Sequence, residues 1–160
     1  MDRTVMEGTM QQVVPNLEGI FVSFTHVCHV TEDLEQSVSS MAAVGAKDLE
    51  QVEFPGGAFA LATELADRGD VEPDTRGLFI ELLTSRGNGD GFWSNYLAEN
   101  GPGLHHIGLK VSDLDRCVKA LTSVGCVITR ENTAGGNVSY YLNCDAIGFP
   151  TLQIFGPAQA

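Results

Sequence analysis

The chain has 160 residues, enough for one domain with a good core or two small fused modules. Its formal net charge of −12 lacks the basic face that nucleic-acid binding requires. No apolar run approaches the roughly 20 residues that span a bilayer, and 43% hydrophobic residues is ordinary for a globular protein. Four cysteines (Cys28, Cys117, Cys126, Cys144) show neither zinc-site nor redox-motif spacing, so free and mostly buried thiols are expected.

In chain order, residues 1–18 are polar and mixed in charge and read as a leader, poorly ordered or adding a strand. They lack a signal peptide's apolar core, so a cytoplasmic protein is expected, with no membrane partner. Residues 19–157 then form one domain of two modules, 19–86 and 101–157, joined by a linker, 87–100. The modules show themselves by repetition. His26-Val-Cys-His-Val-Thr-Glu-Asp33-Leu34 aligns with His106-Ile-Gly-Leu-Lys-Val-Ser-Asp113-Leu114 at an offset of 80, and Val38, Val44 and Gly45 meet Val118, Val124 and Gly125. That makes six identities in twenty ungapped positions.

Each position repeats in physical sense too. A β-rich run carries the histidine, and an Asp seven residues later caps a helix (Asp33–Val44, Asp113–Val124) that a Gly closes. Strands are expected at Lys47–Phe54, Ala58–Thr63 and Leu78–Thr84 in the first copy. In the second they are Val127–Glu131, Val138–Asn143 and Thr151–Phe155. The polar insertion Glu64–Arg76 reads as a loop. In the linker, Arg86-Gly-Asn-Gly-Asp-Gly91 is glycine-rich and Phe92-Trp-Ser-Asn-Tyr-Leu97 reads as a short amphipathic helix. The fold class is therefore α+β, with two tandem βαβββ modules whose sheets pair as a curved mixed cup around a metal site. A homodimer is expected.

The candidate chemistry lies at equivalent points of the repeat. The first strands supply His26 and His106. The fourth supply Glu81, in Leu78-Phe-Ile-Glu-Leu-Leu83, and Gln153, in Thr151-Leu-Gln-Ile-Phe155. A carboxylate inside an apolar strand is costly if buried unpaired, and a metal is one way to keep it ionised. Two imidazoles, a carboxylate and an amide oxygen suit a divalent ion such as Zn, Ni, Co or Mn, with Fe(II) as the alternative. His29 and His105 fall on the opposite strand faces and are expected to be structural or solvent-facing, without effect on the metal.

These residues resemble the vicinal oxygen chelate superfamily, which includes glyoxalase I, methylmalonyl-CoA epimerase, extradiol dioxygenases and fosfomycin-resistance proteins. The resemblance runs from about Phe24 to Phe155. It is most like the epimerase branch over Phe79–Val111, where Glu-Leu-Leu, Phe92-Trp-Ser-Asn-Tyr-Leu97 and Gly101-Pro-Gly-Leu-His-His-Ile107 follow that branch's order. It implies the metal positions His26, Glu81, His106 and Gln153. The last is usually Glu, which in glyoxalases and epimerases also moves protons, and the epimerase's other base falls at Ala60 or a close neighbour.

The implied activity is a metal-dependent isomerase, epimerase or lyase that abstracts a proton next to a carbonyl and stabilises the enolate on the metal. Glu81 is the candidate base, with a metal-bound hydroxide as the alternative. Lys110 shares a strand face with His106 and is the candidate for holding an anionic part of a small carbonyl or thioester substrate. A non-haem iron oxygenase and a drug- or metabolite-binding protein without catalysis are the competing readings.

Overall fold

The computed structural model describes residues 21–47, 49–62, 79–87, 89–134 and 137–157. The leader expected at 1–18 and the loop Glu64–Arg76 lie outside these residues. The chain forms two compact units, one of Thr25–His106 and one from the residues on either side of it, the change falling within two strands.

The first unit carries most of β1 (Phe21–Val30), then α1 (Leu34–Ala43), β2 (Gln51–Phe54), β3 (Gly57–Ala62) and β4 (Phe79–Ser85). It ends with α2 (Phe92–Asn100) and the start of β5 (Gly103–Val111). Its strand order is β2-β3-β4-β1-β5. The β1–β4 pair is parallel, and β3 is antiparallel to both β2 and β4. The second unit carries the rest of β5, α3 (Leu114–Ser123), β6 (Val127–Ala134), β7 (Asn137–Asn143) and β8 (Leu152–Pro157). Its order is β5-β8-β7-β6, with β5 and β8 parallel and the other pairs antiparallel. Each copy is therefore βαβββ around a mixed sheet, and the α+β class is as expected.

The repeat extends to the hydrogen bonds that delimit α1 and α3. The Asp33 and Asp113 carboxylates accept from the Gln36 and Arg116 backbone N–H at 2.8 and 3.0 Å. At the far ends Gly45 and Gly125 take φ of 93° and 97°, a conformation glycine adopts at little cost. The following N–H groups of Ala46 and Cys126 donate back to Met41 and Leu121 at 3.0 and 3.1 Å, completing the same helix stop twice.

Each unit has its own core. Leu34, Ala58, Ala60 and Leu82 form one, backed by Val38 and Met41. The other gathers Leu114, Leu121, Leu142, Leu152 and Ile154, with Cys117, Cys126 and Cys144 among them. All four cysteines are free and buried. Among the described residues no helix is long and apolar enough to cross a membrane.

Strand ends depart from expectation where composition carries no periodicity. β2 begins at Gln51 rather than Lys47, while β6 runs on past Glu131 to Ala134. Arg130, Glu131 and Asn132 are polar, yet they pair in register with Tyr141, Tyr140 and Ser139. β6 ends its sheet order, where polar side chains are tolerated, and pairing with β7 along one flank carries the strand on to Ala134.

Candidate metal centre

Three side chains that sequence places far apart converge in the first unit. His26 on β1 and His106 on β5 bring their Nε2 atoms to 3.0 Å. Glu81 on β4 brings Oε2 to 3.5 Å from His26 Nε2 and 3.4 Å from His106 Nε2. The His106 side chain is fully buried, and those of His26 and Glu81 are only 12% and 14% exposed. The parallel register of β1 and β4 sets Glu81 opposite Cys28. Cys28 is two residues from His26 and so shares its face.

The other expected residues are placed as follows. Gln153 lies on β8 in the second unit, where its Nε2 donates to the Tyr141 hydroxyl at 3.0 Å. Its Oε1 is buried without a hydrogen-bond donor among the described residues. In β8 it faces Gly108 and Tyr141 across the sheet, as Glu81 in β4 faces Cys28 and Leu61. Those partners are again 80 apart, so Gln153 is the repeat's counterpart of Glu81. Lys110 is exposed on β5, and His29 is exposed on β1. His105 is buried, with its ring edge-on to Phe92, Trp93 and Tyr96 of α2.

The sequence profile of the Glyoxalase/Bleomycin resistance protein/Dioxygenase superfamily matches residues 25–141. The chain belongs to that superfamily. No curated protein sequence matches it. Among solved structures, a Streptomyces coelicolor methylmalonyl-CoA epimerase variant in complex with 2-nitronate-propionyl-CoA superposes with a TM-score of 0.65 at 16% identity. The match covers 87% of this chain and 99% of that one. The methylmalonyl-CoA epimerase from Mycobacterium tuberculosis gives a TM-score of 0.63 at 19% identity, covering 88% and 91%. A methylmalonyl-CoA epimerase in complex with methylmalonyl-CoA and NH4+ gives 0.65 at 18%, covering 86% and 96%. At such identities the likeness establishes the shared fold.

In this member of the superfamily the donor chemistry fits a divalent cation. Glu81 Oε2 is buried and has no hydrogen-bond donor among the described residues. At 3.4–3.5 Å the two imidazoles are charge partners rather than hydrogen-bond donors to it. A point equidistant from the three donor atoms lies about 2 Å from each, the length of a zinc–imidazole or zinc–carboxylate bond. His26, Glu81 and His106 are thus the residues that would hold the ion.

The electrostatics are set by burial and by this cluster. Burial pushes the Glu81 carboxyl up, but His106 and His26 together outweigh it and hold it below its ordinary value. Burial, followed by the charge of Glu81 opposite it, drives the Cys28 thiol well above its ordinary pKa, so it stays neutral. Sequence reading expected only a buried thiol there. The signal it passed over is the two-residue spacing from His26.

His105 is pushed down from 6.5 to about 4, chiefly by burial and then by His106. This gives a pH prediction for the metal-free protein. Above pH 6.5 His105 is neutral folded and unfolded and contributes no pH dependence. As pH falls from 6.5 towards 4 the unfolded chain takes up a proton that the folded one refuses, and stability is lost. The full loss is on the order of 3 kcal/mol. Thermal melts between pH 7 and 4.5 should show this fall, and His105→Phe should flatten it. An identical slope in that variant would remove His105 as its source.

Proposed function

We propose that the chain is a metal-dependent isomerase, epimerase or lyase that moves a proton next to the carbonyl of a small carbonyl or thioester substrate. The observation that carries this reading is the buried convergence of His26 Nε2, His106 Nε2 and Glu81 Oε2. A divalent ion held there would supply a Lewis acid that lowers the cost of negative charge on a carbonyl oxygen.

The protein's own groups divide the rest of the work. His26 and His106 bind through Nε2, and their burial limits competition from water. Glu81 contributes charge and is the proposed base: its carboxylate takes the proton from the carbon next to the carbonyl and returns it in the product. Cys28, a neutral thiol in register with Glu81, is proposed to restrain that carboxylate by packing. Gln153 is proposed as a neutral oxygen donor to the same ion, on its repeat equivalence to Glu81. Lys110 is proposed to attract an anionic part of the substrate. The epimerase complexes with CoA thioesters support the substrate class.

The test is proton exchange. Metal-free protein is reloaded with zinc, cobalt, nickel or manganese and incubated in deuterated water with methylmalonyl-CoA or propionyl-CoA. Deuterium incorporation next to the carbonyl is read by NMR. Exchange that depends on the added metal is the expected result. Two imidazoles and one carboxylate are also the donor set of non-haem ferrous oxygenases, the second reading. Oxygen consumption with iron, and no exchange with any other ion, would replace the first reading by the second. Neither activity would leave the binding protein without catalysis.

A further inference from the structure

A neutral imidazole carries one ring proton, and the neighbour of one nitrogen decides which lone pair is left on the other. In the first unit the two nitrogens of each triad histidine have different surroundings. The Nε2 atoms face each other and Glu81. The Nδ1 atoms turn to the residue that precedes each histidine in the chain. His26 Nδ1 lies 3.0 Å from Thr25 Oγ1. His106 Nδ1 lies 2.8 Å from His105 Nδ1. Thr25 and His105 are themselves separated by the 80-residue offset of the repeat, so the same device occurs twice with different chemistry.

We propose that Thr25 and His105 are positioning residues that accept the Nδ1 protons of His26 and His106, leaving both Nε2 lone pairs for the cation. The inference rests on the reading of the triad as a metal site. A threonine hydroxyl oxygen accepts directly. His105 accepts through Nδ1 when its own proton is on Nε2. Its ring is held for that purpose: it is 8% exposed, and the rings of Phe92, Trp93 and Tyr96 stand edge-on at 6.0, 5.0 and 4.5 Å. The segment joining the two copies therefore has a task. Helix α2 supplies the aromatic wall that keeps His105 against His106.

This reverses the expectation that His105 has no influence on the metal. Strand alternation sends neighbouring side chains to opposite faces. Nδ1, however, is the ring nitrogen nearest the backbone, and a preceding side chain can reach it round the strand edge. Without an acceptor the histidine can place its proton on Nε2, where the cation must bind, or rotate away. Outer partners of this kind typically change metal affinity about 10–100-fold.

The experiment is a calorimetric zinc titration of the metal-free full chain, with circular dichroism to check folding. His105→Phe keeps an aromatic ring in the box and removes the acceptor, whereas His105→Asn returns an acceptor oxygen. Thr25→Val keeps the shape and removes the hydroxyl. His105→Phe and Thr25→Val should each weaken zinc binding about 10–100-fold, with His105→Asn recovering much of the loss. In the zinc-loaded wild type a ¹⁵N–¹⁵N coupling through the hydrogen bond should join His105 Nδ1 to His106 Nδ1. That measurement needs no variant and reads the proposal even if His105→Phe fails to fold. Unchanged affinity in His105→Phe and Thr25→Val, or absence of the coupling, overturns the positioning role while leaving the triad in place. Wild type that binds no zinc, or His106→Gln that binds it as tightly as wild type, removes the metal reading underneath.

Discussion

Replacing His106 by Gln, or His26 by Ala, should weaken divalent-metal binding by a hundredfold or more, measured as zinc retained after dialysis and as Kd by titration. Four-ligand zinc sites bind with an apparent 10–16 kcal/mol, so one ligand is worth about 3 kcal/mol, or about a hundredfold in Kd. The effect should be large here because each histidine presents its Nε2 from a different strand, within 3.0 Å of the other. Loss of either leaves the triad with one imidazole and one carboxylate. His29→Ala is the matched control, an exposed histidine on the same strand as His26. It should bind as wild type does. Equal loss in His29→Ala would mean that the triad is not the principal metal site.

Glu81→Gln separates charge and basicity from shape. The substitution keeps the side-chain length and an oxygen donor, so metal affinity should fall only moderately. Turnover should fall by about 10² or more, the usual scale for losing a general base. Activity must be compared at equal metal content, since occupancy and chemistry would otherwise be confused. Wild-type rates under that condition would remove Glu81 as the base. Gln153→Glu is the reciprocal change. It places a carboxylate at the position that β8 shares with Glu81 in β4, and the Tyr141 hydroxyl, which now accepts from Gln153 Nε2, could turn to donate. If Gln153 stands where a base has been lost, this variant should gain proton exchange in a test thioester. No gain at saturating metal would mean that the second base lies elsewhere.

The βαβββ duplication was legible without coordinates because its signals are local. An Asp that caps a helix and a Gly that takes positive φ act within one turn, and both recur at the same offset. Period-two and helical apolar spacing located the elements between them. Where local chemistry was silent, as in polar β6, the boundary was decided by backbone pairing with β7. The same division holds for the site. His26, Glu81 and His106 could be nominated by their equivalent places in the repeat, but periodicity assigns a face and says nothing about rotamers. Only the parallel register of β1 against β4 sets Cys28 opposite Glu81. Only side-chain packing turns His105 back to the Nδ1 of its neighbour, because the aromatic rings that hold it come from α2. Residue type and spacing thus determined which groups were available. Strand register and rotamer, which depend on contacts between elements, decided which of them meet.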